Sequence, residues 1–382
     1  MNKRVKNVEY SGIRKFFDQV KKYKDCVSLT VGQPDFKLPK PIEEGVMRAI
    51  KEGKTQYTIN QGIPELRERI SRYLEEEYSI KFSPDEIILT AGGSEALFVT
   101  FNTLFNEGDY VLTPSPGYPA YENTLKFVGA NRVFYNINKD GEIDFESIEE
   151  GFRNNNINGI ILCFPNNPTG LALSKEDKEK LYGILKKYPN CKIISDEIYS
   201  SISYGKFETI SEYEDLLDRI ILVSGFSKMF SMTGLRLGFI CSKSPYKEEL
   251  NKIHLYATSA APSIVQYGTL YGFDEALKDV EVMRSEFEKR RDFVYKRLVE
   301  IGFKVKKPMA AYYIFPSLED ITTKNSYDFC VDLLKDGKVA CVPGSAFGEL
   351  GEGSLRISYC NSIDELKKGL LRIENYVKKE RE

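Results

Sequence analysis

The chain has one histidine in 382 residues and seven cysteines with no Cys-x-x-Cys pair, which leaves little from which to build a zinc site. The cysteine number is odd, and thiols spaced this way suit a reducing compartment better than a disulfide framework. No apolar run is long enough to cross a bilayer, and the amino terminus lacks the signal-peptide pattern. Charge of one sign is also missing: 54 Lys plus Arg stand against 56 Asp plus Glu. The few basic runs, such as Lys21-Lys22, read as solvated helix faces and not as a stripe for nucleic acid. Internal repeats, low-complexity tracts and long linkers are absent as well. These absences leave a soluble cytoplasmic protein with no metal, membrane or nucleic-acid partner.

The length allows a large core and more than one domain. Short apolar stretches at 110–113, 132–137, 159–164, 192–195 and 219–224 alternate with helical patterns. The helix expected over 174–188 opens on Ser174-Lys175-Glu176-Asp177, a capping pattern. This is the grammar of an α/β fold, a mostly parallel sheet whose ligands gather at the carboxyl ends of its strands. Charged helical text at 274–300 carries the chain out of that region. Strands at 312–316 and 355–358, and a helix starting near Ser362, follow. We therefore expect a large domain over 45–285 and a smaller α+β domain made of 1–44 and 286–382.

The most informative words lie at the ends of those apolar stretches. Ser224-Gly225-Phe226-Ser227-Lys228 follows one of them, and Arg236 comes eight residues after the lysine, between Gly234 and Gly238. A lysine at a strand exit loses charge by desolvation and becomes an amine nucleophile toward an aldehyde. The arginine fork suits a phosphate. An aldehyde and a phosphate on one small molecule describe pyridoxal 5'-phosphate (PLP). That cofactor needs a carboxylate to keep its ring nitrogen protonated, and Asp196 ends the run Cys191-Lys192-Ile193-Ile194-Ser195-Asp196, with Tyr199 three residues on. Asn167, in the turn Asn166-Asn167-Pro168-Thr169-Gly170, is a second donor to the phenolic oxygen beside Tyr199. Thr90-Ala91-Gly92-Gly93-Ser94-Glu95 reads as strand, glycine turn and helix start, a ready anion cradle at Gly93 and Ser94. It has neither the third glycine of a dinucleotide fingerprint nor the Gly-Lys-Ser/Thr of a P-loop. Tyr118 offers a flat partner for a ring. Taken singly, each feature also fits a turn, a cap or ordinary packing; their order along the chain is what points to a cofactor.

In that order these segments resemble the fold-type I PLP enzymes, specifically the class I/II aminotransferases, from Gly32-Gln33-Pro34-Asp35 to Arg356-Ile357-Ser358. The resemblance implies that Lys228 holds the cofactor aldehyde, that Arg236 and Ser227 bind its phosphate, that Asp196 binds the ring nitrogen, and that Tyr199 and Asn167 bind the phenolic oxygen. It further implies that Arg356 grips the substrate carboxylate beside Gly32 and Asn167. Gln56-Tyr57-Thr58 resembles the segment whose tyrosine reaches the phosphate of a neighbouring subunit, so a homodimer with shared sites is expected. Catalysis would rest on Lys228, Asp196 and Tyr199: ping-pong transfer of an amino group from an L-amino acid to a 2-oxo acid, 2-oxoglutarate being the expected acceptor.

Ser28-Leu29-Thr30-Val31-Gly32, Ser11-Gly12-Ile13-Arg14-Lys15-Phe16 and Tyr313-Ile314-Phe315-Pro316 are similar to the bacterial group assigned to N-acetyl-LL-diaminopimelate. Aspartate and aromatic aminotransferases share most of these words, and a PLP-dependent carbon–sulfur β-lyase shares the cofactor residues. A binding protein without catalysis is a further class, disfavoured by the presence of Lys228, Asp196 and Arg236 together. Two departures stand out. Gly225 replaces a serine that touches the phosphate in some members, leaving Ser227 and Ser224 as candidates, and Ala310 replaces a common glycine. His254 reads either as a buried helix histidine or as a substrate-side residue, and Arg14 either as a solvated charge or as a partner for a distal carboxylate.

Overall fold

The computed structural model describes residues 3–10, 12, 16, 20, 23, 25–138 and 141–381. Its strands are β1 (Val27–Ser28), β2 (Ile87–Thr90), β3 (Tyr110–Ser115), β4 (Asn131–Asn136), β5 (Ile157–Cys163), β6 (Lys192–Asp196), β7 (Ile220–Gly225), β8 (Gly238–Cys241), β9 (Tyr313–Ile314), β10 (Val339–Ala340), β11 (Val342–Pro343) and β12 (Leu355–Ser358). The α-helices are α1 (Lys40–Lys51), α2 (Pro64–Tyr78), α3 (Gly93–Leu104), α4 (Pro119–Val128), α5 (Phe145–Asn154), α6 (Lys175–Lys187), α7 (Phe226–Met229), α8 (Tyr246–Ala257), α9 (Ser263–Ile301), α10 (Ser326–Lys335) and α11 (Ile363–Arg381).

Seven strands form the main sheet in the order β2-β8-β7-β6-β5-β3-β4. Neighbours from β7 through β6, β5 and β3 to β4 are parallel, and β8 alone runs antiparallel to both of its neighbours. The apolar runs are continuous because both faces are covered. Along β5, Ile160 and Leu162 enter one core while Ile161 and Cys163 enter the other. The same alternation places Ile220 and Leu222 of β7 against Ile221 and Val223. Leu66 and Ile70 of α2 and Leu181 and Leu185 of α6 close the first face; Leu97 and Phe101 of α3, Leu125 of α4 and Leu250 of α8 close the second. The capping pattern at Ser174 is formed: its hydroxyl accepts from the Asp177 N–H at 3.0 Å, and its own N–H donates back to the Asp177 carboxylate at 3.1 Å.

A third core joins β1, β9, β10 and β12 to α10, α11 and the second half of α9. Here β11-β12-β9 is a small antiparallel sheet, and β1 pairs with β10 in parallel. The helix expected over 274–300 begins earlier, at Ser263, and runs 39 residues, with Phe273 in the first core and Phe287 in the third. Gly268 and Gly272 weaken its helical signal, since each costs roughly 0.5–1 kcal/mol against alanine in a helix interior. The packing explains them. A Cβ on Gly268 would fall 2.4 Å from Val46 Cγ2, and one on Gly272 would fall 2.4 Å from the Pro41 carbonyl carbon, so only glycine lets α1 lie this close.

Candidate active site

Five strand ends open onto one side of the sheet. After β2 come Gly92, Gly93 and Ser94; after β3, Tyr118; after β5, Asn167; β6 ends on Asp196; and β7 leads through Gly225 into α7 with Lys228. The antiparallel β8 starts at the same edge and brings Arg236 just before it. Arg356 arrives from the small sheet, on β12, with Leu355 and Ile357 facing the other way into the third core. Gly93, Ser94, Tyr118, Asn167, Asp196, Lys228, Arg236 and Arg356 line one cavity of about 530 Å³, together with Gly32, Tyr199 and Ser227. Of the expected site residues, Tyr57, which is 91% exposed, Ser224 and His254 stay out of that cavity. Arg14 lies outside the described residues.

Lys228 brings a buried amine into this arrangement. Its Nζ donates to the Gly32 carbonyl at 2.6 Å, and Tyr312 donates to the same oxygen at 3.0 Å. Burial pushes the amine down to about 8, the nearby Arg356 and Arg236 charges add to that, and only Cys360 opposes it. A neutral amine is thus within reach near physiological pH, as a nucleophile or base requires.

Asp196 is buried, which pushes its carboxyl up, while the Tyr121 hydroxyl and the Ile198 N–H work against that shift. Tyr121 donates to Asp196 Oδ2 at 2.7 Å. An acid under this burial penalty is stabilised as the anion by any cation placed beside it. Tyr199 meets Tyr313 at 2.9 Å between hydroxyls. Arg356 donates through Nη1 to Asn167 Oδ1 at 3.0 Å and through Nη2 to the Thr30 carbonyl at 2.7 Å, and its guanidinium carbon lies 4.4 Å from the Tyr313 ring centre. Its buried Nε has no partner among the described residues. A buried guanidinium nitrogen left without an acceptor marks a place prepared for an anion.

At the other end of the cavity, Gly92 adopts φ +83°, and a Cβ there would fall 2.6 Å from Arg236 Nη2. Arg236 itself holds a left-handed φ of 55°, an uncommon conformation for a side-chain-bearing residue, and anchors Nη1 on the Thr233 carbonyl at 2.8 Å. The amino end of α3, with Gly93 and Ser94 at the cavity, adds backbone N–H groups and the positive end of a helix dipole. Among the described residues, Lys228, Arg236 and Arg356 line the cavity with one carboxylate, Asp196, and with this helix start they fit a phosphorylated, carboxylate-bearing guest. Among the described residues no cluster of three or more His, Cys, Asp or Glu could hold a metal ion.

The remaining candidates are sorted by their contacts, and further residues join the cavity wall. Ser224 does not reach the cavity; its hydroxyl turns to the Glu197 carbonyl at 3.2 Å, which leaves Ser227. Gly225 is fixed by packing, because a Cβ on it would fall 2.6 Å from the Gly238 Cα. His254 lies away from the cavity, buried on α8 and paired with Glu95, so of the two readings the buried helix histidine is the one formed. Tyr121, Tyr313 and Thr30 line the cavity without having been singled out. Tyr121 had a signal: it follows Tyr118 by three residues at a helix start, and so shares its face.

The aminotransferase class I and II family matches residues 24–373. The chain belongs to the class I and II aminotransferases. It is 39% identical over its whole length to a Bacillus subtilis protein named probable N-acetyl-LL-diaminopimelate aminotransferase, 97% of which is covered. A probable aspartate aminotransferase of Methanocaldococcus jannaschii is also 39% identical, with 97% of this chain and 98% of that one covered. Among solved structures, the aspartate aminotransferase of Thermus thermophilus with maleate superposes with a TM-score of 0.92 at 29% identity, over 98% of this chain and 99% of the other. The aminotransferase fold, a mostly parallel sheet covered by helices, is thus shared across the full chain. PLP is the cofactor of this family.

Proposed function

We propose that this aminotransferase holds PLP in the 530 Å³ cavity, with the covalent link on Lys228. The supporting observation is the convergence of Lys228, Asp196, Arg236 and Arg356 on that one space. Gly93, Ser94, Ser227 and Arg236 would hold the phosphate, Asp196 the ring nitrogen, Tyr199 and Asn167 the phenolic oxygen, and Tyr118 the ring. When bound, the cofactor accepts the amino group and takes up the electron pair left as the α-proton departs. The protein's part is placement and proton transfer. Arg356 takes the substrate carboxylate with its free Nε side, beside Gly32 and Asn167, and so fixes the Cα–H bond relative to Lys228. The neutral Lys228 Nζ removes the α-proton and returns it on the other side of the reaction. Substrates are then an L-amino acid and a 2-oxo acid, in a cytoplasmic enzyme whose seven cysteines stay as thiols. The large domain at 45–285 and the smaller one at 1–44 and 286–382 would close on each other around Arg356 and Lys228.

For the donor, N-acetyl-LL-diaminopimelate is the preferred reading. The cavity's own cations are all engaged by the core of an amino acid and by the phosphate. A second space of about 730 Å³ shares Tyr118 and Tyr121 with it and carries Lys126 and Arg132, both paired with Glu122. A cavity of this size, bordered across Tyr118 and Tyr121 by a second polar space, suits a long donor with a polar far end better than aspartate. Purified enzyme given 2-oxoglutarate and a panel of N-acetyl-LL-diaminopimelate, glutamate, aspartate and aromatic amino acids should show the highest kcat/KM with the first. A preference for aspartate would overturn this choice of donor, and pyruvate from cystathionine without an oxo-acid acceptor would select the lyase.

Two further results are expected. In the apoprotein, capture of PLP by Lys228 should rise as pH climbs through about 8, the value to which burial lowers its amine. A midpoint near the ~10.4 of an ordinary lysine, followed by absorbance, would show the amine to be solvated. Tyr121→Phe removes one hydrogen bond to a buried carboxylate, worth about 1.5–3 kcal/mol, so kcat should fall roughly ten- to hundredfold with little change in the donor's KM. An unchanged kcat would remove Tyr121 from the account.

A homodimer completes the site in this reading. Met47, Ile50, Tyr57 and Ile59 are exposed apolar residues, and so are Leu255 and Tyr256 at the end of α8, an element bonded to the Tyr57 segment through Asn60 and Asn251. Inactive Lys228→Ala protein mixed with an inactive Tyr57→Trp variant should regain activity, since one site per heterodimer then has Lys228 from one chain and Tyr57 from the other. No recovery despite verified subunit exchange, or an active monomer in sedimentation, would refute the shared site.

A further inference from the structure

The only histidine of the chain is fully buried on α8, and nothing in the reaction above uses it. Its Nε2 lies 3.0 Å from the Asn60 carbonyl oxygen and its Nδ1 lies 2.9 Å from Glu95 Oε1. A carbonyl oxygen only accepts, so Nε2 carries a hydrogen. Glu95 Oε1 also accepts from the Thr258 hydroxyl at 2.6 Å, and Oε2 accepts from the Ala91 N–H. Burial pushes the Glu95 carboxyl up, but the bonds from His254, Thr258 and Ala91 outweigh it and bring the group below its usual range. An ionised carboxylate offers no hydrogen, so Nδ1 has to donate too.

We propose that His254, carrying a hydrogen on both ring nitrogens, is a positioning residue that ties the turn at Gly92, Gly93 and Ser94 to the segment bearing Tyr57. This rests on the reading of that turn as the phosphate site. Glu95 sits one residue after Ser94, in the first turn of α3, and its bond to the Ala91 N–H closes the glycine turn from behind. Asn60 sits three residues after Tyr57. Its segment is held on the same side by Asn60 Nδ2 on Asn251 Oδ1 at 2.6 Å and by Gln266, which donates to the Thr58 hydroxyl at 3.1 Å and accepts from the Ile63 N–H at 2.8 Å. One imidazolium therefore braces both elements. It also answers an electrostatic problem: a bare carboxylate next to Ser94 would repel an incoming phosphate, and the imidazolium cancels that charge without entering the cavity.

A single histidine makes the test direct. In ¹⁵N NMR of the folded wild-type apoprotein, both ring nitrogens should carry a hydrogen, as the two acceptors beside them require. Glu95→Gln keeps the shape and removes the counter-charge, so one of the two should then be bare. His254→Gln should weaken binding of PLP and of inorganic phosphate to the apoprotein by roughly tenfold, the size of a lost helix-terminus contact. Once the enzyme is saturated with PLP, the donor's KM should not change. The double variant His254→Gln/Glu95→Gln, free of the stranded charge, should recover part of the loss. A singly protonated ring in the wild type, or wild-type phosphate and PLP affinity in His254→Gln, would overturn the proposal. Wild-type apoprotein that binds neither phosphate nor PLP would instead overturn the reading of the cavity and this inference with it.

Discussion

Lys228→Ala protein is expected to lose amino transfer by at least about 10⁴-fold, because the proposed function gives the same side chain the parts of nucleophile and proton carrier. It should still hold PLP without a covalent bond. Arg236, the amino end of α3 and Asp196 line the cavity from elements other than α7, so removing the amine leaves the anion cradle and the buried carboxylate standing. The Gly32 carbonyl, now lacking the 2.6 Å bond from Nζ, keeps its 3.0 Å bond from Tyr312 and is not stranded. Loss of activity would then come without loss of fold. Borohydride reduction and peptide mapping should find the cofactor on Lys228 in the wild type and on no residue in the variant. Normal turnover by Lys228→Ala would end the assignment of this lysine.

What the sequence made legible follows from where its signals are strongest. Continuous apolar runs ending in a turn or a polar residue mark parallel strands buried on both faces, and β5, β6 and β7 carry such runs into Asn167, Asp196 and Lys228. Because the chemistry sits immediately after those runs, strand ends and site residues could be read together. Tyr121 and Tyr313 were harder. Each looks like packing until the fold shows that one hydroxyl meets Asp196 and the other Tyr199, and neither pairing has a spacing in sequence. The start of α9 was obscured by Gly268 and Gly272, whose value lies in a helix crossing invisible along one strand of text. Ser224 was a plausible phosphate ligand by proximity to Lys228. The strand's alternation turns it the other way, to the Glu197 carbonyl. Tyr57 shows a different limit: the sequence word around it suggested a site contact, yet within the single chain it is exposed and does not line the cavity.

Asp196→Ala is expected to lower kcat by about 10²–10⁴-fold, since breaking a buried charge pair by removing one partner costs about 3–5 kcal/mol. The effect should fall on rate more than on cofactor affinity. Asp196 is the only carboxylate lining the cavity among the described residues, so no other there would balance a protonated ring nitrogen, whereas the phosphate would keep Arg236, Ser227 and the start of α3. The Tyr121 hydroxyl would add to the damage, because the change leaves a buried donor without its 2.7 Å acceptor. Two controls separate these contributions. Tyr121→Phe/Asp196→Ala removes the stranded hydroxyl along with its acceptor; if the rate loss belongs to the ring nitrogen, the double variant should be no faster than Asp196→Ala. Asp196→Glu retains a carboxylate at the end of β6 and should be the mildest of the three, limited by misplacement of one methylene in a fully packed strand end. Single-turnover rates with bound PLP decide the matter: a near-normal rate in Asp196→Ala would show that this carboxylate positions the fold and does not support the chemistry.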